Sequence, residues 1–358
     1  MADVQVKTPG KLYVAGEYAV VEPGYSAIVT SVNSFIYLSL KESKAGFGTI
    51  HSEGFTNEPV SFVREDGQIR LDHSKEELQY VYSAIEVTEK YLEEKNSSFR
   101  YYEIQIHSEL INEAGRKLGL GSSGAVTVAV VKALLQFYAV DFSDLTVYKL
   151  SVLAQLRLGI NSSFGDIASI AYTGWIRYTS FDREAVYAYQ KEHSVKETVD
   201  WDWPFLAIET LDVSEEIYFL IGWTGSPASS DELVGSVQEN KSQSPQQYQN
   251  FLTTSQHAVE QLTTALQSLN VDQLTQAIEK NRQALKEMGT QTGVLIETEQ
   301  LSELCDIAHA HGGAAKTSGA GGGDSGIAFI FEEEKAQAII EDWKKAGITN
   351  LPLAIYSK

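Results

Sequence analysis

The sequence predicts an α+β fold in two domains, with mixed β-sheets and helices, and two observations carry that expectation. Short segments of alternating polarity fill much of the first half, and long periods of 3.6 residues dominate the second before strands return near the end. Strands and helices do not alternate strictly, which argues against a parallel sheet wound with crossover helices.

Taken in order, residues 4–6, 11–14, 27–29 and 35–40 read as strands, with β-branched and aromatic residues alternating with polar ones. Ser74 and Glu77 have the spacing of a capping box, and Leu78, Val81, Tyr82, Ile85 and Leu92 then draw one apolar helical face. Residues 102–107 alternate as a strand, and 125–138 is helical almost throughout. Further helices are expected over 145–158 and 165–172, with a strand over 175–178. The stretch 181–205 is charged and aromatic without a clean period, so the domain boundary is set inside it, giving an N-terminal domain of residues 1–190 and a C-terminal domain of residues 191–358. The apolar run 217–223 does not alternate and suits a buried strand. Helices follow over 247–269, 271–288 and 298–311, the last closed by Gly312 and Gly313 at a C-cap. Strands at 314–317, 327–331 and 353–356, with a helix over 333–345, complete the pattern.

Composition narrows the function. A chain of 358 residues, 43% hydrophobic and 10% aromatic, can bury a sizeable core. The formal net charge of −20 argues against nucleic acid and anionic membranes as partners, because both attract basic surfaces. An anionic small substrate would therefore need local positive charge. With Cys305 alone, neither an internal disulfide nor a cysteine zinc site can form; a packed helical residue and a cytoplasmic setting are expected. The most apolar stretch is interrupted by Lys132 and Gln136, and the first residues lack the apolar core of a signal sequence, so neither a membrane span nor export is expected.

The chemistry is sharpest at Gly119-x-Gly121-x-x-Gly124, which leads directly into a helical stretch. Such a loop presents unpaired N–H groups and the positive end of the helix dipole at one point, and phosphate is the anion it suits. The spacing also fits a dinucleotide fingerprint, with Asp141 at the distance of the ribose-binding acid. The helical character of 125–138 leaves no room for the second strand, which makes that reading a minor one. The ATPase P-loop needs Ser or Thr after Gly-Lys, whereas Gly10 and Lys11 are followed by Leu12. The protein-kinase signatures His-Arg-Asp and Asp-Phe-Gly are missing. A plain turn with Ser122 or Ser123 capping the helix stays open beside the phosphate loop.

Three segments then stand in order along the chain: Pro9-Gly-Lys-Leu-Tyr-Val-Ala-Gly-Glu-Tyr-Ala-Val20, Gly119-Leu-Gly-Ser-Ser-Gly-Ala125 and Lys316-Thr-Ser-Gly-Ala-Gly-Gly-Gly-Asp324. Together they resemble the motifs of the GHMP kinases, the superfamily of galactokinases, homoserine kinases, mevalonate kinases and phosphomevalonate kinases. Mevalonate kinases and galactokinases usually carry histidine after the first Gly-Glu, where this chain has Tyr18. With Gly222-Trp-Thr-Gly-Ser-Pro-Ala-Ser-Ser230 and Asn161-Ser-Ser-Phe-Gly-Asp-Ile-Ala168, that difference resembles the bacterial phosphomevalonate kinase branch.

The resemblance implies an active site between the two domains, ATP with Mg²⁺, and 5-phosphomevalonate as the acceptor. It implies that Gly119, Leu120, Gly121, Ser122, Ser123, Gly124 and Ala125 hold nucleotide phosphates, with Ser122 a ligand of Mg²⁺. Lys117 would neutralise a phosphate, although a loop lysine beside Arg116 is equally well explained by solvation. Lys11 matches the family lysine near the acceptor and γ-phosphate, and Asp166 the catalytic aspartate. An acceptor phosphate, with a second pKa near 6, is largely ionised at neutral pH. Asp166 is therefore expected chiefly to orient Lys11 and the acceptor oxygen, with proton removal secondary. Tyr18, Ser226, Ser229, Ser230 and Arg157, with the turn Ser318, Gly319, Ala320 and Gly321, are candidates for the acceptor. Simple capping explains at least one of the three serines after Trp223, and a helix-end arginine explains Arg157 equally well. Rival readings are a mevalonate kinase or another small-molecule kinase of this superfamily, a nucleotide-binding regulator without catalysis, and, more remotely, a dehydrogenase.

Overall fold

The computed structural model describes residues 3–53, 56–65, 68–72, 78–111, 118–226 and 229–358. Strands β1 (Val4–Ala15) and β2 (Ser26–Glu42) form a long antiparallel pair joined through a 3-10 turn at Ala19–Val21. After β3 (Gly48–Ser52), β4 (Val60–Glu65) and β5 (Gln68–Leu71), helix α1 (Gln79–Glu94) leads to β6 (Tyr102–Ser108). Helices α2 (Ser122–Phe137), α3 (Asp144–Arg157) and α4 (Gly165–Tyr172) precede β7 (Trp175–Thr179). Helices α5 (Arg183–Glu192) and α6 (Val195–Asp200) then lead to β8 (Ala207–Leu211).

The described strands of this part form one sheet in the order β5-β4-β3-β6-β2-β7-β8, with β1 on the other edge of β2. The long β2 serves two partners on one edge, β7 along residues 26–30 and β6 along residues 36–42. The sheet continues past residue 190, because β8 pairs with β7.

A second sheet begins with β9 (Tyr218–Trp223). Helices α7 (Ser230–Asn240), α8 (Pro245–Ser268), α9 (Val271–Thr292) and α10 (Glu299–Ala310) follow. The chain ends with β10 (Ala314–Thr317), β11 (Ser325–Ile330), α11 (Glu333–Lys345) and β12 (Thr349–Asn350), and the sheet order is β10-β11-β9-β12. Among the described strands only β3 and β6 pair in parallel, so the α+β expectation holds. No helix among the described residues is long and apolar enough to cross a membrane.

Helix α2 positions the site. It packs on β1 and β2 and is enclosed by α1, α3 and α4. Its near-continuous apolar sequence, with Val128, Val130, Val131, Leu134 and Leu135 all inaccessible, is what a helix buried on every side requires. A rigid, buried helix holds its N-terminus still.

Several elements differ from expectation for local reasons. The two short strands expected before residue 15 are one strand, because Pro9 and Gly10 lie at a register shift and not at a break: Pro9 faces Phe35 and Gly10 faces Val32. The expected strand 353–356 makes only a bridge, Val32 to Ile355, since Ala354 spends its N–H on the Asn33 side chain (2.8 Å). The unpatterned stretch 181–205 holds α5 and α6, the latter opened by a capping box of Ser194 and Glu197. The capping box at Ser74 and Glu77 lies outside the described residues. Cys305 is buried on α10, and burial pushes its thiol up to about 12. Native protein at pH 8 is therefore expected to resist iodoacetamide, and rapid labelling before unfolding would contradict that environment.

Candidate active site

The glycine loop and the first turn of α2 are fastened to β1. Lys11 N–H donates to the Leu120 carbonyl (2.9 Å), and Thr8 Oγ1 donates to the carbonyl of Ala125 (2.9 Å). Gly119 and Gly121 take φ of +73° and +79°, a region glycine enters without steric cost, and Gly121 is the N-cap of α2. The N–H groups of the first helical turn are thereby presented at a fixed place on the loop.

Each of the three spaced glycines also makes room for a charged side chain. A Cβ on Gly121 would lie 2.7 Å from Lys11 Cε, one on Gly124 would lie 2.9 Å from Asp166 Oδ2, and one on Gly119 would lie 2.9 Å from Asp324 Cγ. The lysine comes from β1, Asp166 from the first turn of α4, and Asp324 from the turn between β10 and β11. Lys11 Nζ donates to the Gly119 carbonyl (3.2 Å) and lies 5.5 Å from the centre of the Tyr13 ring.

Side chains from the first and last motifs are tied together beneath this loop. Lys316 Nζ donates to Glu17 Oε1 (2.5 Å) and to the Thr317 carbonyl (2.6 Å), with both members of the ion pair buried. Tyr18 O–H donates to the Ala320 carbonyl (2.6 Å), and Ser318 Oγ donates to the Tyr13 carbonyl (2.7 Å). Together these three contacts fix the third motif against the first.

The result is a cleft of about 350 Å³. Its described lining carries one lysine, Lys11, against three carboxylates, Glu17, Asp166 and Asp324. Burial lowers the Lys11 pKa from its ordinary value, and Asp166, Asp324 and Glu17, in that order, oppose the shift. Burial, then Asp166, raises the Tyr13 phenol well above its ordinary range; burial and then Glu17 do the same for Tyr18. Both phenols stay protonated at neutral pH; Tyr18 donates to the Ala320 carbonyl, and Tyr13 shares a hydrogen bond with Ser163 Oγ (2.8 Å).

Comparison with known proteins settles the family. The model of the GHMP kinase N-terminal domain matches residues 79–174, and that of the GHMP kinase C-terminal domain matches residues 262–349. The chain is 35% identical to the phosphomevalonate kinase of Streptomyces sp. strain CL190 over 356 residues, which cover 96% of this chain and 95% of that one. The chain belongs to the GHMP kinase family. This GHMP kinase is also similar to the solved Streptococcus pneumoniae phosphomevalonate kinase in complex with phosphomevalonate and AMPPNP, with a TM-score of 0.87, 30% identity, and coverage of 99% and 100%. Its likeness to the mevalonate kinase of Thermococcus gammatolerans is lower, 27% identity over 97% of this chain and 94% of that one.

Of the residues singled out in the sequence, the cleft of this kinase brings together Lys11, Tyr18, Gly119 to Ser123, Asp166, Ser229, Ser230 and Ala320. Ser229 caps α7, accepting the Glu232 N–H at 3.4 Å. Ala125 and Ser318 are buried behind the cleft, and Gly321, at φ of +72°, abuts the Ile296 carbonyl, where a Cβ would come within 2.2 Å. Gly319 belongs to the same turn. Two candidates lie elsewhere. Arg157 ends α3 and pairs with Glu86 of α1 (2.6 Å), lining a neighbouring open groove. Ser226 gives its carbonyl to the Asp324 N–H (2.7 Å) and so shapes the third motif without lining the cleft. Lys117 falls outside the described residues.

Sequence reasoning assigned no role to Tyr13, Glu17, Asn161, Ser162, Ser163 or Asp324, all of which line the cleft, nor to Lys316 beneath it. Glu17, Lys316 and Asp324 stand inside the glycine motifs themselves. A charge embedded among glycines was the available signal, since a close-packed turn retains a charged residue only where something answers it.

Proposed function

We propose that this GHMP kinase transfers the γ-phosphoryl group of ATP to the phosphate of 5-phosphomevalonate, giving 5-diphosphomevalonate and ADP. The observation that carries the reading is the meeting of Lys11 and Asp166 on the glycine loop at the start of α2, in a chain alike over nearly its full length to a phosphomevalonate kinase. Phosphoryl transfer needs positioning and charge stabilisation more than covalent help, and these residues supply both.

The first-turn N–H groups at Ser122 to Gly124, with the helix dipole behind them, would hold the nucleotide phosphates. Lys11 would counter the charge on the transferring oxygens, its ammonium directed along the loop by the Gly119 carbonyl. Asp166 would orient Lys11 and the acceptor oxygen, while Tyr18, Ser229, Ser230 and the Ala320 turn would bound the acceptor.

The residues fit Mg²⁺ that arrives with the nucleotide. Carboxylates outnumber cations in the described lining, and no described cluster of three His, Cys, Asp or Glu could cage a metal unaided. That is the usual setting of Mg²⁺, held by a few protein oxygens together with substrate phosphates. Ser122 would be one of them, and the ion would supply charge neutralisation for the nucleotide phosphates. The single buried cysteine suits a reducing compartment, and we place the reaction in the cytoplasm.

A coupled ADP-release assay with mevalonate and 5-phosphomevalonate as separate acceptors tests the reading. Turnover is expected with 5-phosphomevalonate. Turnover with mevalonate alone would replace the acceptor, and turnover with neither would favour a regulator that has kept the fold.

A further inference from the structure

Asp324 follows the run Ser318-Gly-Ala-Gly-Gly-Gly323 at the end of the third motif, and its backbone is held at both polar groups. Its N–H donates to the Ser226 carbonyl (2.7 Å), while its carbonyl accepts from Thr224 N–H (2.8 Å) and Thr224 Oγ1 (3.0 Å). The residue sits at φ of +51°, a left-handed conformation that Asp tolerates better than most side chains. The turn thereby fixes where the carboxylate goes. It is delivered against Gly119, where a Cβ would lie 2.9 Å from Asp324 Cγ and 3.0 Å from Oδ2, and the carbonyl of that glycine accepts the Lys11 ammonium.

We propose that Asp324 is a positioning residue for phosphoryl transfer, acting through Lys11: beside Asp166, its carboxylate is a second counter-charge that holds the ammonium against the first glycine of the loop. The inference rests on the kinase reading above. Three carboxylates act on Lys11, and their places differ. Glu17 has its own counter-ion in Lys316 at 2.5 Å, and Asp166 meets the loop at its last glycine, Gly124. Asp324 meets it at the first, so the two aspartates bracket the glycine series from opposite ends. Tyr13, Tyr18 and Tyr80 complete the titratable groups of the described lining, and Tyr13 and Tyr18 remain neutral phenols at neutral pH. Asp324 thus gives the third motif a direct electrostatic hold on a lysine of the first.

Asp324→Asn tests this in the full-length enzyme, because the amide keeps the volume and both backbone bonds. A fall in kcat of about tenfold is expected, with the KM for ATP changed by less than about twofold. In a Lys11→Met background the same Asn substitution is expected to cost nothing further, the signature of two groups acting as one. An equal loss in both backgrounds, or a rise in the KM for ATP at unchanged kcat, would overturn the proposal. The Lys11 Nζ resonance, assigned by its disappearance in Lys11→Met, reads the contact without turnover. A shift in Asp324→Asn supports the contact even if the acceptor assay fails for the wild type, and an unmoved resonance overturns it.

Discussion

Lys11→Met is expected to lower kcat by about 10²–10³-fold, the usual cost of deleting one preorganised group that meets charge developing in the transition state. The KM for ATP should change far less. On the proposed reading the nucleotide phosphates would be held chiefly by N–H groups at the start of α2, which the substitution leaves in place because the Lys11 backbone still donates to Leu120. Methionine also preserves the unbranched stem that runs past Gly121, so the loop keeps its packing and the charge alone is lost. A steady-state comparison of the two parameters decides the matter. Unchanged kcat would remove Lys11 from the site, and a large rise in KM at constant kcat would make it a ground-state binding group.

How much of this was legible in the sequence follows from the range of the interactions. Helices α4 and α11 and strand β10 have the bounds read from periodicity, because amphipathic or apolar pattern and end signals agree there. Strands β3, β4, β5 and β8 were not separated from the loops around them, since short strands take their identity from partners far along the chain. The same division runs through the site. The glycine loop at the start of α2 is local, and its glycines and serines announced it. That Gly119, Gly121 and Gly124 each accommodate a different charged residue was invisible, because Asp324, Lys11 and Asp166 come from three separate places in the chain. Arg157 shows the converse: adjacency to Asp166 in sequence suggested a shared site, and Glu86, on another helix, captures the guanidinium instead.

The buried pair of Lys316 and Glu17 carries the largest expected effect on stability. Lys316 is wholly inaccessible and Glu17 nearly so, and Glu17 Oε2 has no hydrogen-bond partner among the described residues, so the lysine is the main compensation for this carboxylate. Lys316→Met leaves that charge buried without its counter-ion, which costs about 3–5 kcal/mol, a large part of the roughly 5–15 kcal/mol by which domains are stable. A well-formed pair is itself worth much less than the cost of breaking it, since desolvation offsets most of the attraction. The double variant Glu17→Gln with Lys316→Met should therefore recover most of the loss. Urea unfolding of the two single variants and the double checks both halves: Lys316→Met within about 1 kcal/mol of the wild type would mean that the carboxylate is otherwise compensated. Activity should separate from stability in the double variant. The Tyr18–Ala320 and Ser318–Tyr13 bonds still fasten the third motif to the first, so the cleft should reassemble, while Lys11 loses one of the three carboxylates that oppose the lowering of its pKa. With burial already lowering the Lys11 pKa, removing the Glu17 charge lowers it further, so the fall of kcat on the alkaline side should begin at lower pH than in the wild type.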